Sequence, residues 1–126
     1  MRIEHLALWC KDLEVVRDFY VRWFGATSNH RYENAAKGFA SYFLTFPSGP
    51  RLELMTRTDI THRAPDSILG YAHLAIALGS DEAVDALAAS LRDAGVPLAD
   101  GPRRTGDGYY EAVVLDPEGN RIEITG

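Results

Sequence analysis

The sequence has little cysteine, no long apolar run and no excess of basic residues. Cys10 is the only cysteine among 126 residues, so an internal disulfide is excluded and a reducing cytoplasm is the expected location. No apolar run approaches the length of about 20 residues that spans a bilayer, and the first residues lead into an apparent strand rather than a signal peptide. A net charge of −5 argues against nucleic acid or a membrane as a partner.

The composition is that of an ordinary globular protein. Hydrophobic residues make up 46% and charged residues 25% of the chain, which is typical of a soluble domain. A chain of this length buries a substantial core without dividing into several domains. We therefore interpret residues 1–126 as one domain.

The chain contains the same pattern twice. Residues 46–54 match residues 116–124 at an offset of 70, with the Pro, Gly, Arg and Glu identical. His5-Leu6-Ala7-Leu8 recurs as His73-Leu74-Ala75-Ile76 at an offset of 68. Each half of the chain therefore begins with a histidine and ends with a glutamate.

Each half also carries the signals for the order β-α-β-β-β. Asp12 and Ser80 are N-cap residues before runs with helical periodicity, and Gly25 and Gly95 are the expected stops. Strands are expected at residues 3–9, 26–32, 40–46, 51–56, 71–78, 96–99, 109–115 and 121–125. The sequence predicts an α+β fold with eight strands and two helices. The internal repeat comprises residues 1–57 and 71–126, joined by a polar connector.

Four polar residues fall on the face of their strands opposite to the leucines and isoleucines. Side chains alternate along a strand, so His5, Glu53, His73 and Glu123 all point away from the helices. Two carboxylates close together in a poorly solvated place repel each other unless a cation neutralises them. A divalent metal balances both charges, and neutral imidazoles complete the ligand set.

A solvated strand face is the alternative for any one of these residues taken alone. Arg51 and Arg121 each lie two residues before a glutamate and suit an ordinary exposed ion pair. The same histidine and the same glutamate in both copies favour the metal site over this alternative.

These motifs resemble those of the vicinal oxygen chelate superfamily, which includes glyoxalase I, methylmalonyl-CoA epimerase, extradiol dioxygenases and the fosfomycin and bleomycin resistance proteins. The resemblance covers the whole chain. It rests on His5 in Glu-His-Leu-Ala-Leu, Glu53 in Arg-Leu-Glu-Leu, His73 in Ala-His-Leu-Ala-Ile and Glu123 in Asp-Pro-Glu-Gly-Asn-Arg-Ile-Glu-Ile. It implies two tandem βαβββ modules that form a U-shaped mixed sheet around a metal cleft. The His-Glu-His-Glu order is most similar to small bacterial glyoxalase I-like proteins.

The resemblance implies a divalent-metal-dependent lyase or isomerase. Such an enzyme chelates vicinal oxygens of a small carbonyl substrate and stabilises an enediolate. Glu123 is then the expected base, with Glu53 as the second choice. Zinc or nickel is the favoured ion, with cobalt, manganese and iron as alternatives. A homodimer is implied as well.

The expected substrate contacts differ from those of glutathione-dependent relatives. Those enzymes carry Arg and Asn where this chain has Trp9 and Arg57, which argues against glutathione dependence. Trp9, Arg57, Arg103 and Tyr110 are the expected substrate-binding residues, with an arginine meeting an anionic group. Two other functions stay open: a non-catalytic drug-binding resistance protein, and an extradiol-type dioxygenase, which the fourth ligand Glu53 disfavours.

Overall fold

A computed structural model describes the whole chain, residues 1–126, as two compact units. Unit 1 is Met1–Ala64 and unit 2 is Pro65–Gly126, so the boundary falls inside the predicted connector. Each unit contains one of the two predicted repeats. Neither α-helix combines the length and the apolar character that crossing a membrane requires.

Unit 1 is a five-stranded mixed sheet with one α-helix packed on it. Its elements are β1 (His5–Trp9), α1 (Leu13–Phe24), β2 (Thr27–Ser28), β3 (Tyr32–Asn34), a 3-10 helix (Ala35–Lys37), β4 (Phe39–Thr45) and β5 (Arg51–Arg57). The strands follow the order β1-β5-β4-β2, and β3 also pairs with β4. Strands β1 and β5 are parallel, while the other pairs are antiparallel. The first and last strands of the repeat are therefore hydrogen-bonded neighbours.

Helix α1 begins and ends at residues whose chemistry favours those ends. The Asp12 carboxylate accepts a hydrogen bond from the Val15 amide at 3.1 Å, which satisfies a donor that the first turn leaves unpaired. Gly25 adopts φ 63°, a left-handed conformation that glycine reaches without steric cost. Both ends agree with the sequence prediction.

The core of unit 1 lies between α1 and the sheet. The helix buries Leu13, Val16, Phe19 and Tyr20, and the sheet buries Tyr42, Leu44, Leu52 and Leu54. Full burial of a leucine stabilises a fold by about 1.5–3 kcal/mol. Val15, also on α1, is exposed. Since Leu52 and Leu54 face the helix, Glu53 between them faces the other side of the sheet.

Unit 2 repeats this arrangement with four strands. Its elements are β6 (Leu74–Ala77), α2 (Asp81–Asp93), β7 (Leu98–Arg104), β8 (Tyr110–Leu115) and β9 (Arg121–Thr125), in the strand order β6-β9-β8-β7. Strands β6 and β9 are parallel, as are their counterparts in unit 1. The Ser80 hydroxyl caps α2 by accepting from the Ala83 amide at 3.2 Å. The helix ends at Asp93, two residues before the predicted stop.

The α+β class and the two β-α-β-β-β modules are confirmed, but the strand count is not. There are nine strands rather than eight, because β3 and the 3-10 helix lie between the second and third predicted strands. Strand β7 extends to Arg104 through Gly101-Pro102, with two irregularities in its pairing with β8. Strand β6 begins at Leu74, so His73 directly precedes it.

Candidate metal centre

The parallel pairing of β1 with β5 brings His5 and Glu53 together. Ala7 is the register partner of Glu53, which places His5 diagonally across on the same face. The His5 Nε2 atom lies 3.7 Å from the Glu53 Oε2 atom, and the Glu53 side chain is only 15% exposed. Two donors about 2.1 Å from a tetrahedral metal are about 3.4 Å apart. The spacing of the two atoms therefore fits neighbouring ligands of one ion.

The same geometry recurs in unit 2 between His73 and Glu123. Ala75 is the register partner of Glu123, just as Ala7 is that of Glu53. The His73 Nε2 atom lies 3.5 Å from the Glu123 Oε2 atom, and the Glu123 side chain is 19% exposed. Each unit thus presents one imidazole and one carboxylate at the spacing of two metal ligands.

The structure brings the four predicted ligands together in pairs. No group of three or more His, Cys, Asp or Glu side chains is arranged to hold a metal ion. Each unit supplies one nitrogen donor and one oxygen donor, and this donor chemistry suits zinc, nickel and other first-row divalent ions.

A second carboxylate contacts His5 on the side of the ring away from Glu53. The Glu4 carboxylate bonds to His5 Nδ1 and also to the Arg51 guanidinium. These bonds, first that from His5 and then that from Arg51, lower the pKa of Glu4. An ionised carboxylate only accepts hydrogen bonds, so the proton of a neutral His5 lies on Nδ1. The Nε2 lone pair is then free to bind a metal.

Arg51 forms an exposed ion pair, but its partner is Glu4 rather than Glu53. Its guanidinium bonds to Glu4 and lies 4.2 Å from the centre of the Phe43 ring. The ion pair with Glu53, two residues along the strand, was the alternative to a metal site. Arg51 instead supports the carboxylate that orients His5.

Trp9 and Arg57, two of the predicted substrate-binding residues, are in contact at one end of the sheet. Trp9 lies on the same face of β1 as His5 and is 39% exposed. The Arg57 guanidinium carbon is 5.1 Å from the centre of the Trp9 ring, which is within the range of a cation–π contact. Arg57 also donates to Asp59, with Nη2 3.0 Å from Oδ2. This hydrogen bond raises the pKa of Arg57.

The other two predicted substrate-binding residues lie in unit 2 and differ in orientation. Arg103 donates to Asp100 at 2.8 Å and lies 3.8 Å from Glu111. The Tyr110 hydroxyl donates to Asp85 of α2 at 2.7 Å, and this bond raises the pKa of Tyr110. Tyr110 therefore points to the helix side of β8, away from the face that carries Glu123.

Comparison with known families identifies this architecture. The model of the glyoxalase/bleomycin resistance protein/dioxygenase superfamily matches residues 2–124. The chain belongs to this superfamily. The resemblance inferred from the four His and Glu motifs is thereby confirmed.

Solved structures of other superfamily members share the fold over the whole chain. The trypanothione-dependent glyoxalase I of Leishmania major is 26% identical with a TM-score of 0.80, covering 100% of this chain and 86% of its own. A possible glyoxalase from Bacillus cereus is 26% identical with a TM-score of 0.75, and the match covers 100% of this chain and 99% of the other. A glyoxalase/bleomycin resistance protein/dioxygenase domain from Frankia sp. is 16% identical with a TM-score of 0.86, and the match covers 99% of this chain and 96% of the other. A comparison with curated proteins found no match.

Unit 2 of this superfamily member carries an acidic residue that the sequence analysis missed. Glu111 lies on β8, where Val113 is the register partner of Glu123, so Glu111 is its diagonal neighbour on the same face. The Glu111 side chain is 12% exposed. Ser41 occupies the matching place in unit 1, opposite Met55. A single charged residue inside the apolar run Tyr-Glu-Ala-Val-Val-Leu is the signal that identifies it.

We expect Glu111→Gln to stabilise the metal-free protein at neutral pH. Burial, and next the charge of Glu123, raise the pKa of Glu111 above its ordinary value of 4.5. A carboxyl group whose pKa is raised by folding stabilises the fold at pH values below its pKa in the unfolded chain. This stabilisation is lost as the pH rises through its pKa in the folded protein. The free energy of unfolding of the variant should therefore exceed that of the unmodified protein by on the order of 0.5 kcal/mol at pH 7. The two should be equal below pH about 4. Denaturant unfolding in the presence of a chelator measures the difference.

A double-mutant cycle with Glu123→Gln is the control for this prediction. The stabilisation by Glu111→Gln should shrink when Glu123 no longer carries a charge. A loss of stability at pH 7 would show instead that attraction by Arg103, 3.8 Å away, outweighs repulsion and burial.

Proposed function

We propose that the protein is a divalent-metal-dependent lyase or isomerase of the glyoxalase I-like type. The proposed ligands are His5, Glu53, His73 and Glu123, which supply two neutral nitrogens and two carboxylates to one ion. Zinc or nickel is the favoured metal, with cobalt, manganese and iron as alternatives. The proposal includes a small carbonyl substrate, a homodimer and a cytoplasmic location.

The observation that carries the proposal is the recurrence of one donor geometry in both units. A histidine at or just before the start of one strand lies near a glutamate on the adjacent parallel strand, with the two donor atoms 3.7 Å apart in unit 1 and 3.5 Å apart in unit 2. Both carboxylates are mostly buried, at 15% and 19% exposure. Burial of a carboxylate is costly unless a cation or several donors compensate it, so two such sites favour metal binding.

The chemistry divides between the ion and Glu123. If these residues hold a divalent cation, it would supply Lewis acidity to adjacent substrate oxygens, which would make the neighbouring C–H more acidic. Glu123 would accept that proton at a carboxylate oxygen and return it to a different atom or face of the substrate. Its 19% exposure limits competition from water for the carboxylate. Isomerisation, epimerisation and lyase reactions all begin with this proton transfer.

Three further residues are proposed to contact the substrate. Trp9 supplies an apolar wall on the face that carries His5, Arg57 packs against that wall, and Arg103 supplies positive charge. Tyr110 is left out, because its hydroxyl is bonded to Asp85 of α2. The tryptophan and arginine at positions 9 and 57 replace the glutathione contacts of related enzymes, and we therefore propose a substrate other than a glutathione adduct.

Metal binding is the first test of the proposal. Protein stripped with a chelator is titrated with each of the five divalent ions by calorimetry, and the ion content is measured after desalting. We expect one tightly bound ion for each set of four ligands. His5→Ala and His73→Ala should both abolish it, although the two residues belong to different units. His30→Ala, which removes an exposed histidine that is not one of the four proposed ligands, should leave binding intact.

Turnover is the second test. Exchange of the hydrogen next to the carbonyl for deuterium, followed by NMR on a panel of small aldehydes and ketones, reports the proposed proton transfer directly. Absence of a stoichiometric ion would overturn the proposal. Tight drug binding without exchange would favour a resistance protein, and oxygen uptake with catechols would favour a dioxygenase.

A further inference from the structure

The ligand-bearing face of unit 1 carries a row of aromatic side chains that the core does not use. Trp9 meets Phe39 edge-to-face, with ring centres 6.5 Å apart, and Phe39 meets Tyr32 at 6.2 Å. Trp9 is 39% and Tyr32 is 55% exposed. Phe39 is the register partner of Arg57 on β5, so this row lies on the same side of the sheet as Glu53.

The aromatic row continues to the His5–Glu53 pair. Phe43 is the register partner of Glu53, and its ring packs edge-to-face against His5 at 5.5 Å. Between this ring and the Trp9–Phe39 contact lies Met55, the register partner of both Trp9 and Ser41. Met55 is two residues from Glu53 along β5, a distance of about 7 Å. Met55 is half-buried and forms an apolar floor with aromatic edges on either side.

Unit 2 lacks this floor at its equivalent positions. Ala77 replaces Trp9, Val113 replaces Phe43 and Thr125 replaces Met55, as the matching strand registers show. Only Tyr109, in the place of Phe39, remains aromatic. Because the two units share one fold, the aromatic row is not needed to build the sheet. Its partly exposed apolar surface is available to a ligand.

We infer that this face selects substrates with an aromatic ring beside the two chelating oxygens. The inference rests on the proposed function, since His5 and Glu53 are taken to bind the metal that holds those oxygens. A ring attached one or two carbons from the chelating group reaches Met55, about 7 Å from Glu53. There the edges of Trp9 and Phe39 meet it, an arrangement that aromatic pairs favour.

The ring, rather than a second anionic group, is the feature that this face recognises. The charge of Arg57 is already matched by Asp59. The charge of Arg51 is matched by Glu4. Apart from the proposed ligands His5 and Glu53, the surface between them is uncharged and rich in aromatic carbon, so it favours the burial of an apolar group.

Binding of 3-phenyllactate and of lactate to the whole protein tests the inference. The two acids share the carboxylate and hydroxyl that chelate a metal and differ only in the phenyl ring. The protein has two tryptophans, so Trp23→Phe leaves Trp9 as the only source of tryptophan fluorescence. We expect 3-phenyllactate, but not lactate, to change this fluorescence. By calorimetry we expect it to bind about tenfold more tightly than lactate.

Variants of the aromatic row then separate this inference from the proposed function. Trp9→Ala and Phe39→Ala should each bring the affinity ratio of the two acids close to one, and Phe39→Ala should do so without weakening lactate. Both acids are titrated with and without Zn²⁺. If Zn²⁺ strengthens neither acid, the proposed function fails. If Zn²⁺ strengthens the binding of both acids equally and the ratio of their affinities stays near one, the inference about the aromatic face is overturned. It is also overturned if neither acid binds.

Discussion

Replacing Glu123 with glutamine is expected to lower kcat by about 10²- to 10⁴-fold, the usual contribution of a positioned general base. Glutamine keeps the size of the side chain and an oxygen donor for the metal, but it has no basic carboxylate to accept the substrate proton. The measurement is kcat at saturating metal, with the ion content of the variant determined in the same samples. A pH profile should lose the limb that reports ionisation of the base.

The matched control is Glu53→Gln, the equivalent change in unit 1. Glu53 has the same relation to His5 that Glu123 has to His73, with donor atoms 3.7 Å and 3.5 Å apart. If Glu123 is the base, Glu53→Gln should weaken metal binding but leave most of kcat in the metal-saturated protein. A larger loss of kcat in Glu53→Gln would exchange the two roles, and equal small losses would contradict catalysis by either carboxylate.

The helices and the two-module fold could be predicted because their signals are local. Asp12 and Ser80 are hydrogen-bonded caps in the structure, and their side chains act on amides three residues away. Gly25 ends α1 through its own backbone conformation. The repeat adds long-range information, because two similar segments adopt the same pairing of first and last strands.

The additional strand and the extension of β7 depend on interactions that a local pattern does not encode. Strand β3 is three residues long and exists through its pairing with β4. The Asn34 side chain then caps the 3-10 helix by accepting from Lys37 at 3.3 Å. In β7, Gly101-Pro102 resembles a turn, yet the chain continues to pair with β8 after a register shift.

Strand alternation predicts the candidate site only where the register is known. His5 alternates with Leu6 and Leu8, and Glu53 lies between Leu52 and Leu54, so their face follows from the sequence alone. At the start of β8, the sequence alone allows either Tyr109 or Tyr110 to lie on the ligand-bearing face. The choice depends on Ala112 and Val114, which are buried on the Tyr110 side. The same register places Glu111 beside Glu123, and the sequence analysis did not establish it.

The contact of Glu4 with His5 could not be predicted from the sequence, for a different reason. It precedes β1, where alternation no longer constrains a side chain, and its partners are the adjacent residue and a residue 47 positions away. The repeat gives no help either, because Ala72 stands before His73. The orientation of His5 by a carboxylate is therefore a property of unit 1 alone.

We expect Glu4→Gln to weaken metal binding by about 10- to 100-fold, as loss of a carboxylate behind a histidine ligand generally does. The Glu4 carboxylate fixes the His5 proton on Nδ1 and makes Nε2 a better donor. A neutral amide accepts a weaker hydrogen bond and also loses its attraction to Arg51. The affinity is measured by competition with a chelating dye. The ¹⁵N shifts of the His5 ring should show a mixture of tautomers in the metal-free variant.

Arg51→Met and Ala72→Glu distinguish orientation of the ligand from a general effect of charge. Arg51→Met keeps Glu4 but removes its second partner, so it should reproduce part of the loss of affinity. Ala72→Glu adds the equivalent carboxylate before His73 and should strengthen binding if it bonds to that ring in the same way. If Glu4→Gln leaves both the affinity and the tautomer unchanged, the carboxylate is only a surface charge. The position of the His5 proton on Nδ1 would then have a cause other than the Glu4 carboxylate.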